Sequence, residues 1–407
     1  MKDPCIELKS TDRHVRNFFA PKFAGRWLPL LVLGAACIGS PGMVGGSPTT
    51  LHDTLAETRT SPALSANWTI TDALHTARDT QTATLLANGL VLVAGGRNSG
   101  STDSRSAELY SSVTGTWTQT RRMNNGRFYH SATLLSDGRV LVAGGDSLNG
   151  ELASAELYDP ASRTWTATGR LNVARQLHTA TLLPDGRVLV AGGFDRQGFI
   201  ITSVELYDPA TGTWTLGDSL ATARFTHTAT LLPNGTVLVA GGFGGSGTLA
   251  SAELYDPASG IWTATGDLNT PRVVHTATLL TDGRVLVTGG INTNGISPSA
   301  ELYDSSTGSW TVTGDLHTER YAHTATLLRN GAVLISGGLG SSGATVSAEL
   351  YRPTSGTFSA TASLNTARYQ HTATLLRDGT VLVAGGVGAR DIAIPDAELF
   401  GAGVQVP

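Results

Sequence analysis

HTATLLPDGRVLVAGG, residues 178–193, decides the fold. Its first six residues, HTATLL, read as one short strand, and the apolar run Val188-Leu189-Val190 as the start of a second. Between them stands Asp185-Gly186, a pair that tolerates positive φ and favours a tight hairpin. Two four-to-six-residue strands joined by such a turn cannot carry a helical period, and no segment of the chain sustains one. The same string returns with small changes starting at Gln81, His130, His227, His275, His323 and His371, always 48 or 49 residues after the previous copy.

Outward from this string, each copy is followed by a second, such as Ala155-Glu156-Leu157-Tyr158-Asp159-Pro160, and by a third built on an aromatic between Thr or Ser residues. The third aromatics are Trp117, Trp165, Trp214, Trp262, Trp310 and Phe358. Each unit therefore reads as four short antiparallel strands. Four strands recurring every ~48 residues make the blade of a propeller, in which each sheet buries both faces against its neighbours. The last unit carries Ala397-Glu398-Leu399-Phe400 but no aromatic fourth strand, whereas Asn67-Trp68-Thr69 stands unclaimed ahead of the first. The expected fold is all-β over residues 66–403: a seven-bladed propeller of four-stranded blades, the ring closed by the N-terminal strand around Trp68.

These units resemble the kelch repeat. The resemblance rests on the Gly pair (Gly192-Gly193 in the third unit), the strand-three Tyr207, Trp214 after it, and an Arg before each first strand, as at Arg224. It implies a propeller whose relatives include both binding modules and enzymes. A second likeness is local: Arg127-Phe128-Tyr129-His130-Ser131 is similar to the segment of galactose oxidase that supplies a copper-ligating Tyr-His pair. That likeness implies Tyr129 and His130 as ligands, and a degenerate copper oxidase as an alternative function. The family's second Tyr is crosslinked to a Cys, and no Cys follows Cys37 here.

Composition narrows the partners. Charged residues are 15% of 407, below the ~25% of ordinary soluble domains. All three Lys (Lys2, Lys9, Lys22) lie in the first 22 residues, so no amine remains for Schiff-base chemistry. From Gly39 onward 22 Arg face 29 acids, a net charge of −7, which argues against nucleic acid as a partner. Residues 1–38 read as a leader: the apolar run Trp27–Ile38 follows Arg13, Arg16, Lys22 and Arg26, and it is short for a bilayer span. A cleavage site falls after Ala36. Leu33-Gly34-Ala35-Ala36-Cys37 also resembles a lipoprotein signal, with Cys37 as the lipidated residue. Residues 39–65, rich in Gly, Pro, Ser and Thr, read as a flexible linker. The expectation is a secreted or cell-envelope protein that meets a membrane only through its leader, if that is retained or lipidated.

Strand direction sorts the loops between two faces. Asp-Gly hairpins and Asp-Pro turns share one face and hardly differ between units. The segments after Gly-Gly and before the first strand share the other, which varies. There stand Phe128, Tyr129, Phe194, Phe225, Phe243, Tyr321 and Tyr369, the candidate binding residues, suited either to a protein segment or glycan or to plugging the blade tops. The repeated Arg127, Arg175, Arg224, Arg272, Arg320 and Arg368 match in number Glu156, Glu205, Glu253, Glu301 and their equivalents, which predicts one bidentate, partly buried ion pair per blade. The recurring His are read as donors to a neighbouring blade's backbone rather than metal ligands. No catalytic residue, metal or cofactor is assigned. The expected function is a binding scaffold working through the variable face, with an architectural envelope protein as a further alternative.

Overall fold

The computed structural model describes residues 67–98 and 104–401. It holds seven four-stranded antiparallel sheets. Blade 1 runs through Thr82–Leu85, Val91–Ala94, Ala107–Ser111 and Thr116–Gln119, and blades 2 to 6 repeat that order. Blade 7 is assembled from both ends of the domain: Thr372–Leu375, Val381–Ala384 and Ala397–Gly401 are completed by Asn67–Thr71. In that last pairing Trp68 lies opposite Phe400. The ring is closed by the strand that carries Trp68.

Burial follows position in the blade. The second strand is buried on both faces throughout, as in Val188–Ala191, because it sits between two sheets and between two strands. Between blades 1 and 2, Leu92, Ala94, Leu109 and Met123 meet Val140, Val142, Tyr158 and Trp165, and the same layer recurs around the ring. Tyr on strand three stacks on Trp of strand four, with ring centroids 5.0 Å apart in Tyr110–Trp117 and 4.9 Å apart in Tyr207–Trp214. The outermost strand buries only its aromatic and leaves its other side chains mostly in solvent.

The Gly pair is needed for the blades to touch. A Cβ on Gly241 would lie 2.7 Å from both the Arg272 carbonyl oxygen and His275 Cε1 of the next blade, and its φ is +63°. Gly242 beside it donates to that same Arg272 carbonyl at 2.9 Å.

A second feature closes the axis. One non-glycine residue per blade adopts a left-handed conformation just before the repeated His or Gln: Thr80, Tyr129, Leu177, Thr226, Val274, Ala322 and Gln370, with φ between 50° and 64°. Non-glycine residues are rare there, and Val there is strained. The geometry turns six of these N–H groups toward the previous blade. Leu177 donates to Tyr129, Thr226 to Leu177, Val274 to Thr226, Ala322 to Val274, Gln370 to Ala322 and Thr80 to Gln370, over 3.0 to 3.5 Å. A belt of main-chain bonds thus ties successive blades around the axis.

Candidate functional site: the variable face of the propeller

Above this belt each blade lays a short antiparallel bridge between the residues before strand one and those after Gly-Gly. Phe128 pairs with Asp146, Phe225 with Phe243, Val273 with Ile291, Tyr321 with Leu339, and Tyr369 with Val387. The bridge sets the two variable positions of a blade side by side, so neighbouring blades place them on one continuous surface.

Seven of the repeated Arg are fully buried, each with one nitrogen 2.6 to 3.0 Å from a Glu oxygen of its own blade. The pair is not the two-bonded, half-exposed fork expected. Arg224 gives one bond to Glu253 (2.9 Å) and spends its others on the carbonyls of Thr222, Gly241 and Ser251 and on the Ser251 hydroxyl. The second Glu253 oxygen accepts the Ala221 N–H at 2.7 Å. The carboxylate therefore anchors the segment entering strand one, and the guanidinium closes the blade behind it. Burial pushes the Arg224 pKa down while Glu253 opposes that shift. These Arg are structural and none reaches the face.

The six His differ from their expected role too. Each Nε2 shares a hydrogen bond of 2.9 to 3.1 Å with a Thr or Ser hydroxyl on the innermost strand of the preceding blade, not with its backbone. Gln81 alone bonds the backbone, at Ala384 O. Burial, then the Arg three residues earlier, pushes the His178 pKa down to about 3, and burial does the same for His323. The imidazoles are neutral inter-blade pins.

The candidate binding residues divide. Tyr129, Tyr321 and Tyr369 are buried with Leu177, Val273 and Ile291 in an apolar plug over the axis. Phe128, Phe194, Phe225 and Phe243 stay part-exposed. Phe194, Phe225 and Phe243 form a chain across blades 3 and 4, with centroids 5.8 and 5.6 Å apart. Phe199, Leu148 and Ile392, which the repeat pattern does not single out because they sit at loop tips of irregular sequence, are 66%, 54% and 49% exposed. The opposite sector is polar. Arg97 donates to Asp79 at 3.3 Å and lies 6.0 Å over the Phe128 ring, and the Tyr369 hydroxyl donates to Asp391 at 3.2 Å. Burial and then Asp391 push the Tyr369 pKa well above the usual phenol range.

The Tyr129-His130 pair does not fit a copper site. His130 Nε2 is committed to Thr82 and faces a neighbouring blade, while Tyr129 lies in the apolar plug. Among the described residues no three His, Cys, Asp or Glu side chains gather as a metal site.

Seven four-stranded sheets arranged around one belt define the class: this is a β-propeller. Within it the chain is a kelch-repeat propeller. A model of the KLHDC2/KLHL20/DRC7 kelch-repeats domain matches residues 43–242, and the kelch motif model matches 224–269 and 272–317. No curated protein sequence matches. Among solved structures, the chain is similar to a fungal alcohol oxidase of the AA5 family in complex with copper, at 19% identity and a TM-score of 0.70. The match covers 83% of this chain and 76% of that one, and at this identity it shows the fold alone. Kelch propellers generally bind protein partners.

Proposed function

We propose that this propeller is a protein-binding scaffold that seats a partner segment on its variable face, over Phe194, Phe225 and Phe243, with Phe199 at the rim. One observation carries the reading: three part-exposed aromatic rings in contact on a face that is otherwise irregular, across from a polar sector around Arg97 and Asp79. Rigid aromatics give large contact area at low entropy cost and dominate the energetic centres of protein interfaces. The buried tyrosines support the floor from below and do not touch the partner. The proposal includes export, carried by the leader 1–38, which lies outside the described residues along with the linker 39–65. N-terminal sequencing of protein recovered from outside the cytoplasm tests that part.

Affinity capture with the full chain and with a Phe199→Ala/Phe225→Ala variant tests the binding surface. The expected result is a protein captured by the first and lost from the second. An identical captured set from both, or capture of glycans alone, overturns the reading.

A further inference from the structure

The face of Asp-Gly and Asp-Pro turns breaks its symmetry at two junctions: between blades 6 and 7, where Phe400 replaces a Tyr, and between blades 3 and 4, where the Tyr is kept but its partner is lost. Where two blades meet near their outer strands, a Thr hydroxyl on one blade bridges the Tyr hydroxyl and a turn carbonyl of the next. Thr168 lies 2.7 Å from the Tyr207 hydroxyl and donates to Gly212 O, and Thr265 and Thr313 do the same with Tyr303 and Gly308, and with Tyr351 and Gly356. Thr71 and Thr120 hold Tyr110 and Tyr158 likewise. Between blades 3 and 4 the residue in this place is Gly217, and the Tyr255 hydroxyl has no hydrogen-bond partner among the described residues. The main-chain bond that accompanies the bridge at most of these junctions, as from Gly169 N–H to Gly212 O and from Gly266 N–H to Gly308 O, is not formed between Asp218 and Gly260. A cleft of about 320 Å³ opens there, lined by Tyr255, Gly217, Asp218, Arg187, Leu206 and Pro257.

We propose that this cleft binds a neutral sugar, one of whose hydroxyls takes the place of the missing Thr hydroxyl between Tyr255 and Gly260. The chemistry selects that class. The unfilled position is built for a hydroxyl, which donates to a carbonyl and shares a bond with a phenol, as it does at five other blade junctions. Arg187 is already paired with Asp185 at 2.7 Å, and Asp218 adds a carboxylate, so an anion meets no net positive charge. Asp218 and Arg187 instead offer acceptor and donor positions to further hydroxyls, while Leu206 and Pro257 give an apolar wall for ring C–H groups. The volume lies at the lower end of small-ligand sites, which suits one or two sugar rings. The neighbouring cleft between blades 2 and 3 is larger, about 570 Å³, but no Tyr hydroxyl lines it, and that of Tyr207 close by is held by Thr168. This site is on the face opposite the aromatic surface and stands independently of the protein-binding reading.

The decisive variant is Gly217→Thr. A Cβ there meets only Leu206 and Val204 carbons at 3.7 Å, so the threonine fits and restores the common bridge. Saturation-transfer NMR and calorimetry on the full chain, with glucose, galactose, mannose and N-acetylglucosamine as separate probes, read the binding. Wild type is expected to bind at least one of them, Tyr255→Phe about tenfold more weakly, and Gly217→Thr not at all while melting at a higher temperature. Phe225→Ala, on the other face, leaves the sugar affinity unchanged. Absence of binding by all four probes at millimolar concentration overturns the proposal. So does undiminished binding by a folded Gly217→Thr protein, or sugar binding lost in Phe225→Ala alone.

Discussion

Glu253 is fixed by the fold at a position where nothing else would do. Arg224 beside it is fully buried and its charge has one carboxylate within reach. Replacing Glu253 by Gln keeps the shape and a carbonyl oxygen but strands the guanidinium, so the variant is expected to lose about 3–5 kcal/mol in urea unfolding. An unchanged midpoint would mean that the Gly241 and Ser251 carbonyls suffice for Arg224. The buried His make a second residue-level prediction, and its sign follows from their neutrality. In the unfolded chain they titrate near 6.5, whereas His178 and His323 stay neutral in the fold down to about 3. Below about pH 6.5 the unfolded state therefore takes up protons that the native state refuses. Stability is full above that pH and falls as it drops toward 3, by up to ~1.4 kcal/mol per pH unit for each such His. Melting curves between pH 7.5 and 4 check this, and a flat profile contradicts it. The Arg–Glu pairing was legible in the sequence as equal counts at fixed spacing. Its single-oxygen geometry was not, because a one-dimensional repeat says nothing about which carbonyls compete for the guanidinium. The partner of each His was equally hidden, since the hydroxyl it meets lies one whole blade away in the chain.

Elements repeat faithfully here because two of them leave no room for variation. The Gly pair after the second strand is a contact of backbone on backbone, and the same residue must also hold a positive φ. Gly138, in a hairpin turn, has φ +85° but open space around it. Alanine at Gly138 is expected to cost about 1 kcal/mol, the conformational penalty alone. Alanine at Gly241 is expected to cost at least twice that, because the Arg272 carbonyl of the next blade must also move. Equal costs in chemical denaturation would show that the blades yield at this contact. The left-handed belt is the complementary case. Its residues are Thr, Tyr, Leu, Val, Ala and Gln, none of which signals positive φ in a sequence, so composition concealed a conformation that topology imposes seven times. The variable face was similarly half legible. Sequence located Phe128 and Tyr129 on the right face, but only their packing separates the exposed ring from the buried one.

At the scale of the whole molecule the question is how firmly one strand holds seven blades. The Trp68 strand pairs with Ala397–Gly401 over five residues, its indole stacks on Phe400 at 5.1 Å, and its N–H reaches back to Ala362 O at 2.7 Å. Every other blade takes its fourth strand from the adjacent stretch of chain, so blade 7 alone depends on joining segments more than 300 residues apart. Loop-closure entropy opposes such a junction until the blades between its two strands are in place. Two variants on this strand separate closure from mere presence. Trp68 is half-buried against Phe400, whereas Ile70 is 68% exposed on the same strand. Trp68→Ala is expected to lower stability by about 2–3 kcal/mol, to raise hydrogen exchange along Ala397–Gly401, and to leave blades 3 to 5 protected. Ile70→Ala is expected to stay within ~0.5 kcal/mol of wild type. If the two behaved alike, the strand would be an ornament on an already stable ring. If Trp68→Ala unfolded all seven blades together, the closing strand would be the element on which the cooperativity of the propeller depends.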